Sequence, residues 1–302
     1  MGDEKERYVP GDAGEIWYEH WHRYHFVLPL VEGRRVLDAA SGEGYGTALL
    51  ATRAQHATGL ELAPEVVAAA RRRYGTRDNI EYLQGRCESL PLAEASVDVV
   101  VSFETLEHLA EPEALVREAR RVLRPEGVFI VSTPHKQVYS DARGYSNPHH
   151  IHELELEAFT SLLQARFERV ALFGQRVDSY SAIWPADGAP TRAVLLDADR
   201  SDPASARPGI PDAMYWIAIC GPAAAVEAAA GQVSLLADRS HEVQGNVDMA
   251  ARHIADLRAH VQRLESAYLA GQEQLRTVLR ERDELAQRLR GAPAPAPGWN
   301  RK

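Results

Sequence analysis

From Arg34 to about Gly221, short and almost continuously apolar runs alternate with segments in which apolar residues recur every three or four positions. The runs predict buried strands and the spaced segments predict helices, because these are the periodicities of side chains that face a core. Seven strands are expected: RRVLDAA, HATGLEL, NIEYLQG, VDVVVSF, GVFIVSTP, RVALFGQRV and MYWIAICG. Strands that are apolar on both faces and separated by helices indicate an α/β fold with a doubly wound, mostly parallel sheet.

The stretch between the last two predicted strands breaks this alternation. Residues 184–211 are rich in Pro, Asp and Ala and show no apolar period. They predict a long loop insert in the position of a lid. With this insert, the α/β pattern predicts one domain over residues 1–222.

A different pattern begins after Gly221, where Ala, Glu, Arg, Gln and Leu dominate. Steps of four and three residues connect one seam of mostly apolar positions: Val243, Val247, Ala250, Ile254, Leu257, Val261, Leu264, Tyr268, Gly271, Leu275, Val278, Arg282, Leu285 and Leu289. This heptad seam predicts a long α-helical coiled coil over residues 232–290, because a helix with polar residues on its other faces needs a partner helix to bury the seam. The alternative is a lone, solvent-exposed helix. Residues 291–302, GAPAPAPGWNRK, predict a Pro- and Ala-rich spacer.

Composition limits the partners, the cysteine sites and the cellular location that are expected for the chain. A net charge of −9 over 302 residues argues against a broad basic surface, so no nucleic acid partner is expected. Cys87 and Cys220 form no CxxC pair, which argues against a disulfide framework and a cysteine metal site. The charged start, MGDEKERYVPGD, is unlike a signal peptide, and no apolar run suffices for a transmembrane segment. A cytoplasmic protein is expected, peripheral to the inner membrane only through partners.

A glycine-rich turn follows the first predicted strand, in VLDAASGEGYGTALLA. Gly42, Gly44 and Gly46 lie between that strand and a helix, where backbone N–H groups and the helix N-terminus can approach a ligand closely. Asp38 ends the first strand and Glu61 ends the second, and an acid after the second strand can hold the two hydroxyls of a ribose. The turn therefore predicts a nucleoside-type ligand, and a tight turn without any ligand is the alternative.

Three possible metal ligands interrupt the apolar end of the fourth strand, in VSFETLEHL. If a short helix begins near Glu104, then Glu104, Glu107 and His108 share one face, because they lie at positions i, i+3 and i+4. Two carboxylates packed this closely repel each other unless a cation lies between them. The alternative is a pair of solvated acids in the first turn of a helix, where the helix dipole favours them.

A second polar cluster follows the fifth strand, in YSNPHHIHE. Its loop carries His149, His150, His152 and Glu153, and it can reach VSFETLEHL because the fourth and fifth strands are neighbours in this fold class. ExxEH with one distant histidine supplies two oxygen and two nitrogen ligands and leaves two positions of an octahedron open. This set predicts Mg²⁺ or Mn²⁺, with Fe²⁺, Co²⁺ and Zn²⁺ as further possibilities, and an ordinary polar loop is the alternative.

The part of the chain from Arg34 to about Gly221 resembles the class I S-adenosylmethionine-dependent methyltransferases. Their motif I, LDxGxGxG, matches LDAASGEG here, with Ala40 in place of the first glycine. The resemblance implies a Rossmann-like seven-stranded sheet, an enzyme that transfers methyl groups, and S-adenosylmethionine as its cofactor.

The same resemblance assigns the cofactor contacts. Asp38, Ala40 and Gly42 would lie along the methionine part and Glu61 would bind the ribose. Where the family often has an Asp for the adenine, this chain has Arg86, so Cys87, through its backbone N–H, or Glu88 would replace that contact. The predicted cofactor-binding residues are Asp38, Ala40, Gly42, Gly44, Glu61, Leu62, Cys87, Glu88 and Phe103.

The two polar clusters are similar to those of the metal-dependent small-RNA 2′-O-methyltransferases, and ExxEH is also similar to that of the ubiquinone-pathway O-methyltransferases. The resemblance implies that Glu104, Glu107, His108 and His150 hold a metal that binds two adjacent acceptor oxygens, one of which receives the methyl group. His149 or His152 would take the proton. His20, in the aromatic segment before the first strand, is a weaker candidate for this base.

The combination of ERYVPG, VVSFETLEH and YSNPHHIHE resembles the methyltransferases of bacterial surface-polysaccharide and glycan clusters. Some chain-terminating O-antigen methyltransferases also carry a long C-terminal coiled coil. The resemblance implies a sugar or glycan acceptor, with the coiled coil binding a second copy or a partner glycosyltransferase. A metal-independent small-molecule O- or N-methyltransferase, or a cofactor-sensing coiled-coil scaffold, is the alternative.

Overall fold

The computed structural model describes residues 8–9, 15–178, 196–199, 202–208, 212–229, 233–236 and 242–291. By its internal contacts the chain divides into two units, Met1–Ala237 and Asp238–Lys302. The predicted first domain, residues 1–222, is shorter than the first unit, because a hydrogen bond between His22 Nε2 and Ser234 Oγ (2.9 Å) ties residues beyond 222 to the first helix.

The first unit contains the predicted Rossmann-like sheet. Its seven strands are β1 (Arg35–Ala39), β2 (His56–Glu61), β3 (Ile80–Gln84), β4 (Val97–Ser102), β5 (Leu123–Pro134), β6 (Arg169–Gln175) and β9 (Tyr215–Gly221). The strand order is β3-β2-β1-β4-β5-β9-β6, and only β9 runs against its neighbours. The prediction of seven strands in a mostly parallel sheet is thus confirmed.

Successive residues of the central strands enter opposite cores, because side chains alternate across a sheet. Val36, Val99 and Val101 belong to one hydrophobic cluster, whereas Leu37 and Val100 belong to the other. All five are at most 1% exposed, which explains why the strands are apolar throughout rather than alternating.

Helices cover both faces of this sheet. The helices are α1 (Glu15–Val31), α2 (Tyr45–Leu50), α3 (Pro64–Tyr74), α4 (Pro112–Val122), α5 (Leu156–Gln164) and α6 (Ala223–Ala229). Residues of α1, α2, α3 and α6 pack in the cluster that contains Val36, whereas α4 and α5 pack in the cluster that contains Leu37. The loops that follow β1, β4 and β5 meet between these layers at one edge of the sheet.

The predicted loop insert at residues 184–211 is corrected by the structure. It contains an antiparallel pair of strands, β7 (Leu196–Asp199) and β8 (Asp202–Pro208), with Leu196 opposite Pro208. Within the described part of the chain these two strands pair with each other and with no further strand, so they form without the apolar alternation that marks a strand packed on a core. The remaining residues of the insert lie outside the described part of the chain.

The second unit contains α7 (Glu242–Gly291), a helix of 50 residues that would be about 75 Å long. The predicted coiled coil, residues 232–290, begins too early, because residues 233–236 are not helical. Seam residues such as Ile254, Leu257 and Leu264 are about half exposed in the single chain, so pairing with another helix stays a prediction. The predicted spacer lies almost entirely outside the described residues. Among the described helices, none is both long and apolar enough to cross a membrane.

Candidate functional site

A cavity of about 300 Å³ opens at the carboxyl ends of the central strands. Its walls come from α1, from the turn after β1, and from the loops after β4 and β5. The strand order reverses direction between β1 and β4, and open α/β sheets bind ligands at such a point. The predicted cofactor turn and the predicted metal cluster both border this one cavity.

The glycine-rich turn is held in shape by close packing. Gly44 precedes α2 with φ of 81°, and a Cβ there would lie 2.7 Å from both Ala70 and Tyr82. A Cβ on Gly46 would overlap the Tyr24 ring. Ala40, in place of the first motif glycine, takes the same left-handed region with φ of 63°. Ala40 and Gly42 line the cavity, whereas Gly44 serves the packing beneath it.

Asp38 lies below the turn rather than on the cavity wall. It is 1% exposed and accepts hydrogen bonds from Thr47 Oγ1 (2.7 Å) and Tyr24 Oη (3.2 Å). Burial raises the pKa of Asp38 to about 6, although both hydrogen bonds favour the charged form. Its hydrogen-bond partner Tyr24 does line the cavity, and the contact of Asp38 with the cofactor stays a prediction.

Glu61 already orders the turn through its carboxylate. It accepts hydrogen bonds from the backbone N–H groups of Gly42 (3.1 Å), Leu62 (2.8 Å) and Ala63 (3.0 Å). A carboxylate has about four acceptor positions, so capacity remains for a ribose hydroxyl. The Leu62 side chain is 54% exposed beside it.

The predicted adenine contacts flank the same turn. Cys87 is buried with its sulfur against the Ala40 backbone, and burial raises the pKa of this thiol to about 12, so it is neutral. Glu88 pairs with Arg86 at 2.7 Å. On the other side, Phe103 lines the cavity with its ring 5.1 Å from that of Tyr24, edge to face. The prediction that these residues bind the cofactor is compatible with their positions and stays a prediction.

Three of the four predicted metal ligands come together. Ligand atoms of Glu107, His108 and His150 all lie within 4.8 Å of one another. They come from the short 3₁₀ helix Leu106–His108 after β4 and from the loop after β5. The two sequence clusters therefore form one group, which we call the EHH cluster.

Backbone and acidic groups orient the two imidazoles of the EHH cluster. His108 Nδ1 lies 3.1 Å from the carbonyl oxygen of His149, so this nitrogen is assigned as the donor and Nε2 faces Glu107. His150 Nδ1 lies 2.6 Å from Glu153 Oε1, which again leaves Nε2 as the acceptor, here beside Asn147 Nδ2. Metal-binding histidines characteristically donate their other N–H in this way.

Glu107 also fixes the second loop through its backbone. Its carbonyl oxygen accepts hydrogen bonds from the N–H groups of Ile151 (2.7 Å) and His152 (3.0 Å). Because both bonds end on one peptide group, the His150 imidazole is placed directly against the Glu107 carboxyl group.

The Glu107 carboxyl group is fully buried and incompletely paired. Oε2 accepts a long hydrogen bond from Thr133 Oγ1 (3.3 Å), and Oε1 has no hydrogen-bond partner among the described residues. Burial, followed by the nearby Glu104 carboxylate, raises the pKa of Glu107 well above its usual range. An unpaired buried carboxyl oxygen is costly, and a cation between it and the two imidazoles would remove that cost.

Glu104 departs from its predicted place in the metal site. The predicted helix does not begin there, because Glu104 has φ of 50° and the 3₁₀ helix starts only at Leu106. Its carboxylate accepts a hydrogen bond from Ser132 Oγ (2.6 Å) and lies 3.5 Å from Arg23 Nη1. Glu104 therefore borders the EHH cluster without belonging to it.

The three predicted bases have different surroundings. His149 is exposed and lines the cavity. His152 is exposed and is not among the residues that line the cavity, and its role as a base stays a prediction. His20 lines the cavity, but burial, followed by the charge of Arg23, lowers its pKa to about 3. Its Nδ1 lies 2.8 Å from Tyr45 Oη in a hydrogen bond, so we assign it to holding Tyr45 rather than to the role of the base.

Several cavity residues were not among the site residues predicted from the sequence. Arg23 and Tyr215 come from α1 and β9, whereas Tyr139 and Asn147 precede His150. The only available signal was the spacing of Asn147, His150 and Glu153, three residues apart on one loop. Arg23 and Tyr215 are far apart in sequence, and only the fold brings them together.

Part of the region that forms the sheet matches the sequence model of a known domain. Residues 37–131 match the sequence model described as a methyltransferase domain. The seven-stranded sheet contains the matched residues, so this part of the chain has the fold of a methyltransferase domain.

Two curated relatives carry the name "Probable S-adenosylmethionine-dependent methyltransferase". The protein from Mycolicibacterium smegmatis is 42% identical over 170 residues, which cover 54% of this chain and 64% of the relative. The protein from Mycobacterium tuberculosis is 40% identical over 173 residues, which cover 56% of this chain and 62% of the relative. The chain thus matches somewhat less than two thirds of the length of each relative.

A solved structure supports the fold alone. The chain is similar to one from the complex between the Haloferax volcanii Trm112 methyltransferase activator and a candidate methyltransferase, with a TM-score of 0.50 and 22% identity. The similarity covers 68% of this chain and 91% of the other.

Proposed function

We propose that this protein is an S-adenosylmethionine-dependent O-methyltransferase that uses a divalent metal ion to methylate a sugar hydroxyl of a surface polysaccharide or glycan. One observation carries the proposal, namely that the EHH cluster lies in the same cavity as the motif I turn. A methyl donor and a metal-held acceptor would then meet within one small space.

The EHH cluster fits a divalent ion of intermediate character. One carboxylate and two imidazole nitrogens leave three positions of an octahedron open, and imidazole ligands suit Mn²⁺, Fe²⁺, Co²⁺ or Zn²⁺ better than Mg²⁺. Because Glu104 lies outside the cluster, we propose Mn²⁺ before Mg²⁺ as the bound ion. Glu153 and the carbonyl of His149 supply the outer contacts that keep both imidazoles in their metal-binding tautomer.

The acceptor is the difficult partner in this reaction, because a sugar hydroxyl is almost un-ionised at neutral pH. When bound, S-adenosylmethionine supplies an electrophilic methyl group, and a divalent ion lowers the pKa of a hydroxyl that it contacts. His149, at the cavity edge, would take the hydroxyl proton. The acceptor oxygen forms a bond to the methyl carbon as the carbon–sulfur bond breaks, and the electron pair stays on the sulfur of the neutral thioether product.

Labelled S-adenosylmethionine and a panel of glycans with cis and trans diols test the proposal. We expect transfer that is lost on chelation and restored by Mn²⁺ more fully than by Mg²⁺. Glu107→Gln should abolish it, whereas Glu126→Gln, which changes an exposed acid on β5, should leave it unchanged. Alkaline stability of the product would identify a methyl ether rather than an ester.

Two alternative functions make opposite predictions in the same assay. A metal-independent small-molecule O- or N-methyltransferase would keep its activity in chelator. A cofactor-sensing scaffold would bind S-adenosylmethionine and methylate nothing in the panel. The incompletely paired Glu107 carboxyl disfavours both, because neither function needs a buried carboxylate between two imidazoles.

We further propose that α7 pairs with α7 of a second copy as a parallel coiled coil. Ile254 and Val261 occupy a positions and Leu257 and Leu264 occupy d positions, the combination that favours two parallel strands. A partner glycosyltransferase could occupy the same seam in a chain-length-setting assembly.

Sedimentation equilibrium tests the pairing of α7. Leu264→Lys should convert a dimer to a monomer, whereas Ser266→Lys, on the outer face of the same helical turn, should not. A monomeric unaltered protein would instead favour the partner glycosyltransferase, and two copies that stay paired in Leu264→Lys would exclude this seam.

A further inference from the structure

Arg23 is a charged residue at the floor of the cavity that the proposed reaction leaves without a role. It belongs to α1 and is 1% exposed. Its Nε donates a hydrogen bond to Gln175 Oε1 (2.6 Å), and Gln175 Nε2 donates in turn to the carbonyl of Glu19 (2.9 Å). These contacts fix the plane of the guanidinium group.

The outer edge of this guanidinium, formed by Nη1 and Nη2, is available to a ligand in the cavity. The Tyr215 ring lies 4.3 Å from Cζ and covers one face. Nη1 is 3.5 Å from Glu104 Oε1, beyond the usual 2.7–3.2 Å of an N–H···O bond, and Glu104 Oε1 already accepts from Ser132. Neither Nη1 nor Nη2 has a hydrogen-bond partner among the described residues. A buried guanidinium with unused donors is costly unless a ligand satisfies them.

We propose that the outer edge of Arg23 binds a carboxylate carried by the acceptor sugar, so that the substrate is an acidic sugar unit rather than a neutral one. The inference rests on the proposed acceptor site. Two parallel N–H groups match the two oxygens of a carboxylate, and this geometry gives orientation as well as affinity. With the carboxylate on Arg23 and a diol at the EHH cluster, one sugar ring is held at two points of a cavity of about 300 Å³.

The charges around the cavity permit an anionic acceptor. The acids on its wall are Glu19, Glu104 and Glu107, and they carry three negative charges at most. Arg23 and one divalent ion would balance them, and the sulfonium of the methyl donor adds a further positive charge. The positive charges of Arg23, the ion and the sulfonium therefore offset the acids of the wall, so a carboxylate that reaches Arg23 does not meet unbalanced negative charge from the wall.

Changing the ligand rather than the protein gives a test that does not depend on the folding of a variant. The protein is loaded with Mn²⁺ and S-adenosylhomocysteine, and titration calorimetry compares D-glucuronate, its neutral methyl ester, D-glucose and glucose 6-phosphate. We expect glucuronate to bind at least about tenfold more tightly than the ester and glucose. Glucose 6-phosphate should bind more weakly than glucuronate, because a tetrahedral phosphate is bulkier than the planar group that we propose.

Variants then locate the effect. Arg23→Lys keeps the charge but loses the two-pronged donor edge, so its preference for glucuronate over the ester should be clearly smaller than that of the unaltered protein. Arg143→Gln is the matched control, because this exposed arginine stacks beside Tyr145 at the cavity rim. It should keep the preference for glucuronate, unless general attraction by positive charge is the cause.

Each result has a distinct meaning. Equal binding of glucuronate, ester and glucose, absence of binding by all of them, or loss of the preference in Arg143→Gln overturns the inference. Tightest binding of glucose 6-phosphate overturns the choice of carboxylate. If the preference for glucuronate is found but no glycan is ever methylated, the proposed function fails while the anion site stands.

Discussion

The cofactor half and the acceptor half of the cavity differ in how well their buried charged groups are satisfied. On the cofactor side, Asp38 accepts hydrogen bonds from two side chains and Glu61 accepts three from the backbone. On the acceptor side, Glu107 Oε1 and both terminal nitrogens of Arg23 have no hydrogen-bond partner among the described residues.

This difference separates a scaffold from a binding surface. The cofactor turn is stable by itself because its acids are paired within the chain, so it can hold its shape before any ligand arrives. The acceptor side keeps charged groups in fixed positions without complete pairing, which costs stability and gives affinity for a complementary ligand. Substitutions of the charged groups on the cofactor side should therefore change mainly the stability, whereas those on the acceptor side should change mainly the activity.

Glu107→Gln should give the largest effect. We expect activity to fall by at least about 100-fold, because the substitution removes the anionic ligand. The free energy of unfolding without metal should stay within about 1 kcal/mol of the unaltered protein, since the carboxyl group is poorly paired. Denaturant unfolding and the methyl-transfer assay measure both. A large loss of stability with retained activity would mean that Glu107 only supports the fold.

Asp38 should make the stability depend on pH. Its folded pKa of about 6 lies above the unfolded value of 3.8, so the folded state binds this proton more tightly. The stabilising contribution is complete below pH about 4 and is lost as the pH rises through 6, an effect of about 3 kcal/mol. The free energy of unfolding is measured at several pH values for the unaltered protein and for Asp38→Asn. It should fall as the pH rises through 6 in the unaltered protein, and this fall should be absent in Asp38→Asn. Parallel curves would contradict it.

Glu153→Gln should have an intermediate effect confined to the acceptor side. The Glu153 carboxylate strengthens His150 as a metal ligand, and the amide of the substituted glutamine cannot do so. We therefore expect Mn²⁺ affinity to fall about 10- to 100-fold. Affinity for S-adenosylhomocysteine should be unchanged. Glu157→Gln, an exposed acid in the first turn of α5, is the control. Equal loss of both ligands would indicate a general disturbance of the cavity instead.

Ala40→Gly should give the smallest effect. Glycine relieves a left-handed φ that costs about 1–2 kcal/mol for other residues, but its freedom in the unfolded chain offsets about 0.5–1 kcal/mol. A gain of about 1 kcal/mol or less is expected. Ala95→Gly, at an exposed position with φ of 50°, is the matched comparison and should gain a similar amount. A clear loss of stability in Ala40→Gly, without one in Ala95→Gly, would show that the methyl group of Ala40 contributes favourable packing.

The sequence predicted the sheet and the edge at which the site lies, because both follow from apolar periodicity and strand order. The resemblance to the metal-dependent methyltransferases also selected His150. The sequence could not predict the position of Glu104, since the left-handed φ of one residue leaves no periodic signal and decides where the helix begins. The same holds for the exposure of His152 and the low pKa of His20, which depend on packing between distant segments.

The two hydrogen bonds from Ile151 and His152 to the Glu107 carbonyl have a thermodynamic consequence. They join the order of the second loop to the geometry of the EHH cluster, so ion occupancy and loop opening must obey reciprocal linkage. The open loop is the form in which these two hydrogen bonds are broken. An ion that binds only the closed loop lowers the population of the open loop by the same factor by which loop opening weakens binding of the ion. Amide hydrogen exchange at these two residues would therefore serve as a gauge of metal affinity, even before a substrate is known.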